Sequence, residues 1–574
     1  MTRTKVAGAL AGLAILGGGA AAVAQISQGV PNAQPRSGHP DNLVAPGYAL
    51  QVVAQGTDPL ENPQGIYTNY GYLNDALDPS QGGSGLRTKT EADINTYLKT
   101  GDNPGGPTAG YNYGTHFLFQ GHENGKNNKG QDDFQAYLTR VNLDVSDPAH
   151  RTTLLNYPDS NGKTGMTRVD GSSWDPFNGE MLFTQEGNGT STGGVVGTAL
   201  DWGSSTDPPA LHHYDGSIGK GGFEGIHPDS DGNLILAEDI GGSSITDPSD
   251  STAGKGKQPN SFIYRFVPDS ADDLSQGKLQ VLQVTVGGEA IAFHGTGGCA
   301  DGLGRDAAYD TYGPLILALH NGDEYDARWV TVHDTSTDGT ATFNANALAK
   351  SHCGSPFKRP ENLNFIPGTD FGSFVFDETG DTSKAAGDNP RAAARGAWGS
   401  LFRADIPQGE DSGTVKVVEN GDADHAAPDN VTMLDQNSVL VGEDRGDGLH
   451  KDLNKLDSLW SFDISLPLAQ VNADAKRLVA EGRDPQAEID AGHIDSGDVP
   501  HYQNDGDNEV TGVTVSDGHA GKGWVQGKFA PSPAARTFFT QQHGENVTYE
   551  IVPARRGAQA WSSRRTPRTR SRHR

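Results

Sequence analysis

The chain has 574 residues and a formal net charge of -29, because 73 acidic side chains face 44 basic ones. Such a surface repels phosphate backbones, which excludes nucleic acid as a partner. It suits divalent cations such as Ca²⁺, which carboxylate and carbonyl oxygens bind. From charge alone, an acidic surface that serves only solubility is the simpler explanation.

The first 24 residues have the form of a secretory leader. Arg3 and Lys5 precede an apolar run from Val6 to Ala24, which ends in the small residues Ala22-Val23-Ala24. The run is rich in Ala and Gly, so a membrane anchor fits less well, and no later stretch is long and apolar enough to span a bilayer. We therefore expect a secreted, periplasmic or cell-surface protein without a membrane span.

Glycine accounts for 77 residues, roughly twice its usual share, so turns should be frequent. Helical periodicity is confined to Thr90 to Thr100 and to Leu468 to Glu481. The remainder has the pattern of short strands between turns. The sequence therefore predicts an all-β protein.

One pattern recurs along the chain: a few apolar residues, then a polar, acid-bearing segment that contains Gly. A spacing of roughly 53 to 99 residues allows one sheet for each copy, which favours a β-propeller with inserted loops. A sandwich of two domains is the alternative. The copies are FLFQGHENG from Phe117, MLFTQEGNG from Met181, LILAEDIGG from Leu234, LILALHNGD from Leu315, FVFDETGD from Phe374, VLVGEDRGD from Val439 and FFTQQHGEN from Phe538.

If each copy is the equivalent strand of its sheet, the polar segments emerge together near the central channel. Several carboxylates placed there need counter-charge, which a bound cation supplies. Taken singly, each acid is more simply a solvated turn residue, but recurrence of the pattern weakens that explanation for the set. The carboxylates in question are Glu123, Glu186, Glu238, Asp239, Asp323, Glu324, Glu378, Glu443, Asp444 and Glu545.

Three further segments combine metal and anion chemistry. In FKRPENLNF, Arg359 and Glu361 are two residues apart, so on an extended stretch both side chains point to one side. A guanidinium there can bind phosphate while the carboxylate binds a metal. Asp429 follows Pro428 in HAAPDNVTM, and Glu224 lies in a Gly-bracketed turn where backbone can approach a ligand closely. Each segment alone also fits a surface ion pair or a turn.

The chain has two cysteines, Cys299 and Cys353. One disulfide or two separate buried thiols are equally compatible with the sequence. Two cysteines cannot form a four-Cys zinc site. The expected organisation is a leader over residues 1–24, a linker over 25–44, the propeller over 45–553 and a basic, disordered tail over 554–574.

Several segments resemble the blade motifs of the PhoX-type alkaline phosphatases. They are RPENLNFIPGTDFGSFVFDETGD, APDNVTMLDQNSVLVGEDRGD and EVTGVTVSDG followed by FFTQQHGEN, while GHENG and WDPFNGEMLFTQEGNG are similar to earlier motifs of the family. The resemblance runs from about Ala45 to Pro553. It implies a secreted six-bladed propeller that hydrolyses phosphate monoesters, with calcium and iron near the channel mouth.

The resemblance also implies roles for individual residues. Calcium is the expected cofactor; iron is a weaker expectation, because the stretch from Asn156 to Ser173, where the family's iron-binding cysteine would fall, has none. We expect a monomer that acts on a small phosphorylated substrate. The implied catalytic residues are Arg359 and Glu361, and the implied metal ligands are Glu186, Glu224, Asp239, Glu361 and Asp429.

Two other functions remain open at this stage. A propeller that binds calcium without catalysis could serve as a binding module. A lactonase-like propeller hydrolase would also use a calcium ion in the channel, but it would not need an anion-binding arginine.

Overall fold

A computed structural model describes residues 30, 38–65, 67–70, 91–123, 136–203, 205–444, 448–491, 509–521, 535–542 and 546–554. The expected leader, the tail beyond Ala554 and Glu545 lie outside these ranges. Within them, no helix is both long and apolar enough to cross a membrane.

Strands dominate the described chain. Those up to residue 245 are β1 (Leu43–Val44), β2 (Tyr48–Ala54), β3 (Leu60–Glu61), β4 (Ala92–Lys99), β5 (His116–His122), β6 (Tyr137–Asn142), β7 (Thr152–Leu154), β8 (Val169–Asp175), β9 (Glu180–Gln185), β10 (Gly194–Ala199), β11 (Leu211–His213), β12 (Phe223–Pro228), β13 (Leu234–Glu238) and β14 (Ser244–Ile245). The later ones are β15 (Gly256–Lys257), β16 (Ile263–Ser270), β17 (Asp273–Val286), β18 (Glu289–Ala290), β19 (Tyr325–Asp334), β20 (Leu363–Phe365), β21 (Ser373–Glu378), β22 (Ser400–Asp405), β23 (Ser412–Asn420), β24 (Pro428–Met433), β25 (Ser438–Glu443), β26 (Ser458–Asp463), β27 (Arg477–Glu481), β28 (Val510–Ser516), β29 (Arg536–Gln541) and β30 (Val547–Pro553).

The helices are short and lie in the connections between strands. A π-helical turn, Val471–Ala475, follows one of them. The helices are α1 (Pro148–Arg151), α2 (Ala307–Tyr312), α3 (Pro314–Leu319), α4 (Thr335–Asp338), α5 (Ala345–Ser351), α6 (Lys384–Asp388), α7 (Pro390–Ala393), α8 (Leu449–Leu453), α9 (Leu468–Gln470) and α10 (Pro485–Asp490).

The strands form sheets with a propeller-like arrangement. Four sheets have the orders β3-β7-β6-β5-β4, β11-β10-β9-β8, β1-β27-β26-β25-β24 and β2-β30-β29-β28. A larger sheet runs β12-β13-β16-β17-β19-β23-β22-β21-β20, with β18 paired to β17, and β14 pairs with β15. Neighbouring strands are antiparallel except for β3 and β7, which are parallel.

The sheets surround a centre. Strands β4, β8, β12, β20, β24 and β28 contact one another in that order and close into a ring. Apolar side chains fill the space between neighbouring sheets; Leu440 and Leu459, for example, pack with Val513 and Phe539. We call these six strands of the ring the inner strands. They present polar residues to the centre, while apolar side chains pack between the sheets around it.

The recurrent pattern is confirmed at most of its copies. The apolar parts of six copies lie on β5, β9, β13, β21, β25 and β29. The copy from Leu315 differs, because Pro314 begins helix α3 at its first position. Proline fixes φ near the helical value and lacks the N–H that the first helical turn leaves unbonded, so it favours this start.

Two further expectations are settled by the structure. The helix expected over Thr90 to Thr100 is wrong: this segment contains β4, which pairs with β5 and is buried on both faces. A strand buried on both faces lacks the alternation that distinguishes it from a helix. Cys299 and Cys353 form a disulfide, with their Cα atoms 4.7 Å apart.

Candidate metal and anion centre

One backbone hydrogen bond recurs at the centre of the ring. We call β5, β9, β13, β21, β25 and β29, which pair with the inner strands, the second strands. At six places, the N–H of the residue that follows a second strand donates to a carbonyl that lies one to four residues before an inner strand, over 2.7 to 3.0 Å. We call the donors the closing residues, and they are Glu123, Glu186, Asp239, Thr379, Asp444 and Gln542. We call the acceptors the leading residues, and they are Glu91, Arg168, Gly222, Arg359, Ala427 and Glu509.

Two positions after each leading residue lies a side chain that points to the centre. This position carries an acid in five of the six cases. Inner strands β4, β8, β12, β24 and β28 shift register beside it, which is the signature of a β-bulge. We call these the axial residues, and they are Asp93, Asp170, Glu224, Glu361, Asp429 and Thr511.

Four of the six leading residues adopt an unusual backbone conformation. Glu91, Arg168, Arg359 and Ala427 have φ values of 33°, 28°, 61° and 53°. Positive φ is uncommon for residues other than glycine, and it concentrates at functional sites. At Gly222 a Cβ atom would lie 2.2 Å from the carbonyl oxygen of Asp239, so a side chain cannot fit. This backbone conformation therefore directs the neighbouring side chains toward the centre.

Axial and closing residues together form three groups that could each hold a metal ion. Within each group, the candidate ligand atoms lie within 4.8 Å of one another. Asp170 belongs to the first two groups and Glu224 to the last two, so the groups are continuous. They are Asp93 with Glu123 and Asp170, Asp170 with Glu186 and Glu224, and Glu224 with Glu361 and Asp429.

Burial makes these carboxylates costly to ionise. Burial, together with the charges of Glu186 and Glu91, raises the pKa of Glu123 to about 8. Burial and then the charge of Asp444 raise the pKa of Asp429 to about 8. Burial and then the charge of Glu361 hold the pKa of Glu224 well above its usual range. Without counter-charge, the group would have to retain protons.

The donor set fits a hard divalent cation. All the ligand atoms are carboxylate oxygens, which Ca²⁺ prefers. Asp170 is 5% exposed, yet its Oδ1 atom accepts no hydrogen bond. A buried carboxylate oxygen without a donor needs a partner, and a cation supplies one.

Arg359 lies beside these groups. Its Nε lies 3.0 Å from both carboxylate oxygens of Asp239, and its Nη2 lies 3.1 Å from Oε1 of Glu361. Its Nη1 lies 3.6 Å from Oδ2 of Asp444 and makes no hydrogen bond. A planar guanidinium with a free N–H is suited to bind a phosphate oxygen.

The structure brings the residues singled out from the sequence close together. Glu186, Glu224, Glu361 and Asp429 belong to the metal-sized groups. Asp239 contacts Arg359. Glu123, which the recurrent pattern pointed to, belongs to the first group.

Other carboxylates of the recurrent pattern do not converge at the centre, contrary to expectation. Glu238, Glu378 and Glu443 each end a second strand, one residue before a closing residue. Because side chains alternate along a strand, they point the other way. Glu238, for example, accepts a hydrogen bond from Tyr264 at 3.0 Å. Asp323 and Glu324 follow helix α3 and are exposed.

Asp93 and Asp170 are the axial acids that the sequence reasoning missed. A signal existed for Asp170 but not for Asp93, which precedes Ile94. The other axial acids directly precede Gly or Asn: Asp170-Gly171, Glu224-Gly225, Glu361-Asn362 and Asp429-Asn430. The small residue has a steric reason. A Cβ atom at Gly171 would lie 1.9 Å from the carbonyl oxygen of Glu224.

Comparisons with known proteins bear on the fold. Neither a protein-family model nor a curated protein sequence matches the chain. The structure is similar to that of Pseudomonas fluorescens PhoX in complex with vanadate, a transition state analogue, with a TM-score of 0.52. The match covers 92% of this chain and 98% of the other, at 11% sequence identity. The chain has a PhoX-like fold.

Two other solved structures match at lower TM-scores. They are the PQQ-bound aldose sugar dehydrogenase of Streptomyces coelicolor, at 0.25 and 12% identity, and a hypothetical selenium-binding protein of Sulfolobus tokodaii, at 0.28 and 9% identity. These matches cover 67% and 78% of this chain, and 93% of each of the other two. With identities this low, the PhoX likeness shows a β-propeller fold and leaves function to the site itself.

Proposed function

We propose that the chain is a secreted, monomeric, six-bladed propeller that hydrolyses phosphate monoesters with bound calcium. The observation that carries this proposal is the position of Arg359, whose guanidinium lies among carboxylates that belong to metal-sized groups. An anion-binding group beside cation-binding groups suits a phosphoryl substrate. Six leading residues around one ring support the number of blades.

Glu186, Glu224, Glu361 and Asp429 would hold calcium, together with Asp93, Glu123 and Asp170. Bound calcium would neutralise these carboxylates and polarise the phosphoryl group. Calcium is favoured over iron because the chain's two cysteines are bonded to each other, so neither offers a thiolate.

The chain's own residues supply binding and orientation. Arg359 would bind the phosphoryl oxygens and stabilise the charge that develops on them. Asp239 holds the guanidinium in place through Nε, and the closing residue Thr379 donates its N–H to the carbonyl of Arg359 at 2.8 Å. Thr379 Oγ1 also donates to Glu361 at 2.6 Å, which fixes that carboxylate. The arginine is thus oriented before substrate arrives, and this lowers the entropic cost of binding.

A calcium-binding module without catalysis is the second candidate. It is favoured by the ion pairs of the Arg359 guanidinium, which in the described structure are all made to carboxylates. A lactonase-like hydrolase is less well supported, because an anion-binding arginine has no task in opening a lactone.

The test is hydrolysis of a chromogenic phosphate monoester by the mature protein, first with calcium and then with a chelator. We expect turnover that calcium supports and the chelator abolishes. Arg359→Ala should weaken inhibition by free phosphate by about 10- to 100-fold, because a charge-assisted contact is lost. Arg403→Ala is the matched control, since Arg403 pairs with Asp405 at the surface. An unchanged inhibition constant in the Arg359 variant would remove it from the site.

Calcium binding measured together with turnover separates the two candidates. Glu224→Gln should weaken calcium binding by roughly 100-fold, about 2.7 kcal/mol, because Glu224 serves two groups. Glu289→Gln changes an exposed glutamate and is the control. Tight calcium binding without turnover of any phosphate ester would favour the binding module.

A further inference from the structure

Arg168 and Arg359 occupy equivalent positions in two different sheets. Each is a leading residue, each has positive φ, and each precedes an axial acid by two residues. The N–H of Glu186 donates to the carbonyl of Arg168 at 3.0 Å, as that of Thr379 does to Arg359. In the part of the chain that the structure describes, these two leading residues are the basic ones.

The two arginines lie near the same carboxylate, that of Glu186. In the ring order, β8 and β20 lie on either side of β12, whose leading residue is Gly222. Burial raises the pKa of Glu186, and the charges of Arg168 and Arg359 both oppose that shift, so both guanidiniums lie near this carboxylate. The closing residues beside the two arginines are acidic: Arg168 pairs with Glu186, and Arg359 pairs with Asp239.

The two guanidiniums differ in depth. The side chain of Arg168 is 30% exposed and that of Arg359 is 17% exposed. Arg168 is therefore the more accessible of the two to solvent. A ligand whose phosphoryl group reaches Arg359 would extend its remaining part toward the solvent side.

We propose that Arg168 is a second anion-binding residue, which recognises a negative group on the leaving group of the substrate. The inference rests on the proposed function and names its substrate class: phosphate monoesters whose leaving group carries a carboxylate or a second phosphate. Arg168 would exchange its contact with Glu186 for this group. A planar guanidinium binds either oxyanion in the same bidentate manner.

A matched pair of substrates tests the assignment. Phenyl phosphate and 4-carboxyphenyl phosphate differ by one carboxylate, and phosphate release measures both reactions. We expect the unaltered protein to prefer the carboxylated substrate in kcat/KM. Arg168→Gln should reduce that preference by about 10- to 100-fold, the worth of one charge-assisted hydrogen bond. An unchanged preference would overturn the proposal, as would an equal change in the surface control Arg403→Gln.

A second variant shows whether an effect of Arg168→Gln arises only from a loss of folding. Arg168→Lys keeps the charge that faces Glu186 but loses the planar fork, so it should remain folded and lose part of the preference. Unaltered selectivity in this variant and in a folded Arg168→Gln protein would likewise overturn the proposal. Phenylene bisphosphate, tested beside the carboxylated ester, distinguishes a second phosphate from a carboxylate as the preferred group.

A binding measurement separates this proposal from the proposed function. If the unaltered protein hydrolyses neither ester, the phosphatase proposal fails. Titration calorimetry with phenylphosphonate and 4-carboxyphenylphosphonate, in the presence of calcium, then decides the role of Arg168. Tighter binding of the carboxylated compound that Arg168→Gln abolishes would support it, and equal binding of the two compounds would overturn it.

Discussion

Glu443 and Asp429 lie in the same sheet at similar depth, yet their carboxylates respond to burial in opposite ways. They are 1% and 6% exposed. Burial alone would raise the pKa of Glu443, but hydrogen bonds from His425 and His450 and their charges bring it down to about 2. Burial and the charge of Asp444 instead raise the pKa of Asp429 to about 8.

The two carboxylates differ in the charge of the side chains around them. Nδ1 of His425 lies 2.9 Å from Glu443, and His450 lies 2.7 Å from Asp457, so the charges around Glu443 are matched within the protein. Asp429 has acids as its charged neighbours. Buried carboxylates with basic partners complete the fold, while those without require something from solution.

Removing a partner of Glu443 should have the largest effect on stability. His450→Gln leaves Glu443 and Asp457 short of a buried positive charge, and breaking such a network costs about 3 to 5 kcal/mol. Chemical denaturation of the calcium-loaded protein measures the loss. The number of calcium ions bound should not change.

His213→Gln is the control for that prediction, because His213 is exposed on β11. Equal losses in the two variants would mean that the network around Glu443 has no special role in stability.

Asp429→Asn should have a smaller effect, and its sign should depend on calcium and pH. The folded pKa of Asp429 lies above its unfolded value, so in the calcium-free protein its contribution is present below about pH 4 and is lost as pH rises toward 8. The calcium-free variant should therefore be more stable than the unaltered protein at pH 8, by about 1 to 3 kcal/mol. With calcium it should be less stable. Thermal unfolding at pH 5 and pH 8 measures both effects.

Asp388→Asn, at a carboxylate that is 57% exposed, provides the comparison for that experiment. The calcium-free Asp429 variant could instead be less stable than the unaltered protein at pH 8. The Asp429 carboxylate would then have a stabilising partner within the chain, as Glu443 has, and the two carboxylates would not differ in this respect.

The smallest effect is expected at the surface. Lys384 and Asp388 form an exposed pair four residues apart on α6. Lys384→Ala should cost about 0.3 to 0.5 kcal/mol, with or without calcium, because water and salt screen such pairs. A loss that depended on calcium would show that the charge of the centre extends to this surface.

The second strands could be predicted from the sequence because their apolar runs are short and end in turn residues. Glu186 and Glu123 were found for this reason. Glu238 was grouped with them, because the pattern could not tell the last residue of a strand from the next one. That difference of one residue decides whether a side chain points to the centre or away from it.

The inner strands were harder to predict. The segment with Asp93 has helix-like spacing, and only its pairing with β5 makes it a strand. Asp170 lies in RVDGSSWDP, where a strand contributes a single acid to a group shared by several sheets. Contacts between residues so far apart in sequence leave no local trace, so the Asp-Gly pair marks Asp170 as a candidate but does not reveal the group that it joins.

The pairing of the first long strand with the last sets an order of events during synthesis. β2 pairs with β30, and β1 pairs with β27. In a nascent chain, β2 therefore has no partner strand until β30 has been synthesised. Because the axial residues come from strands spread between Asp93 and Thr511, the cation site can assemble only after all six inner strands have been made. Loading with metal should thus be a late event in folding, after the inner strands have come together.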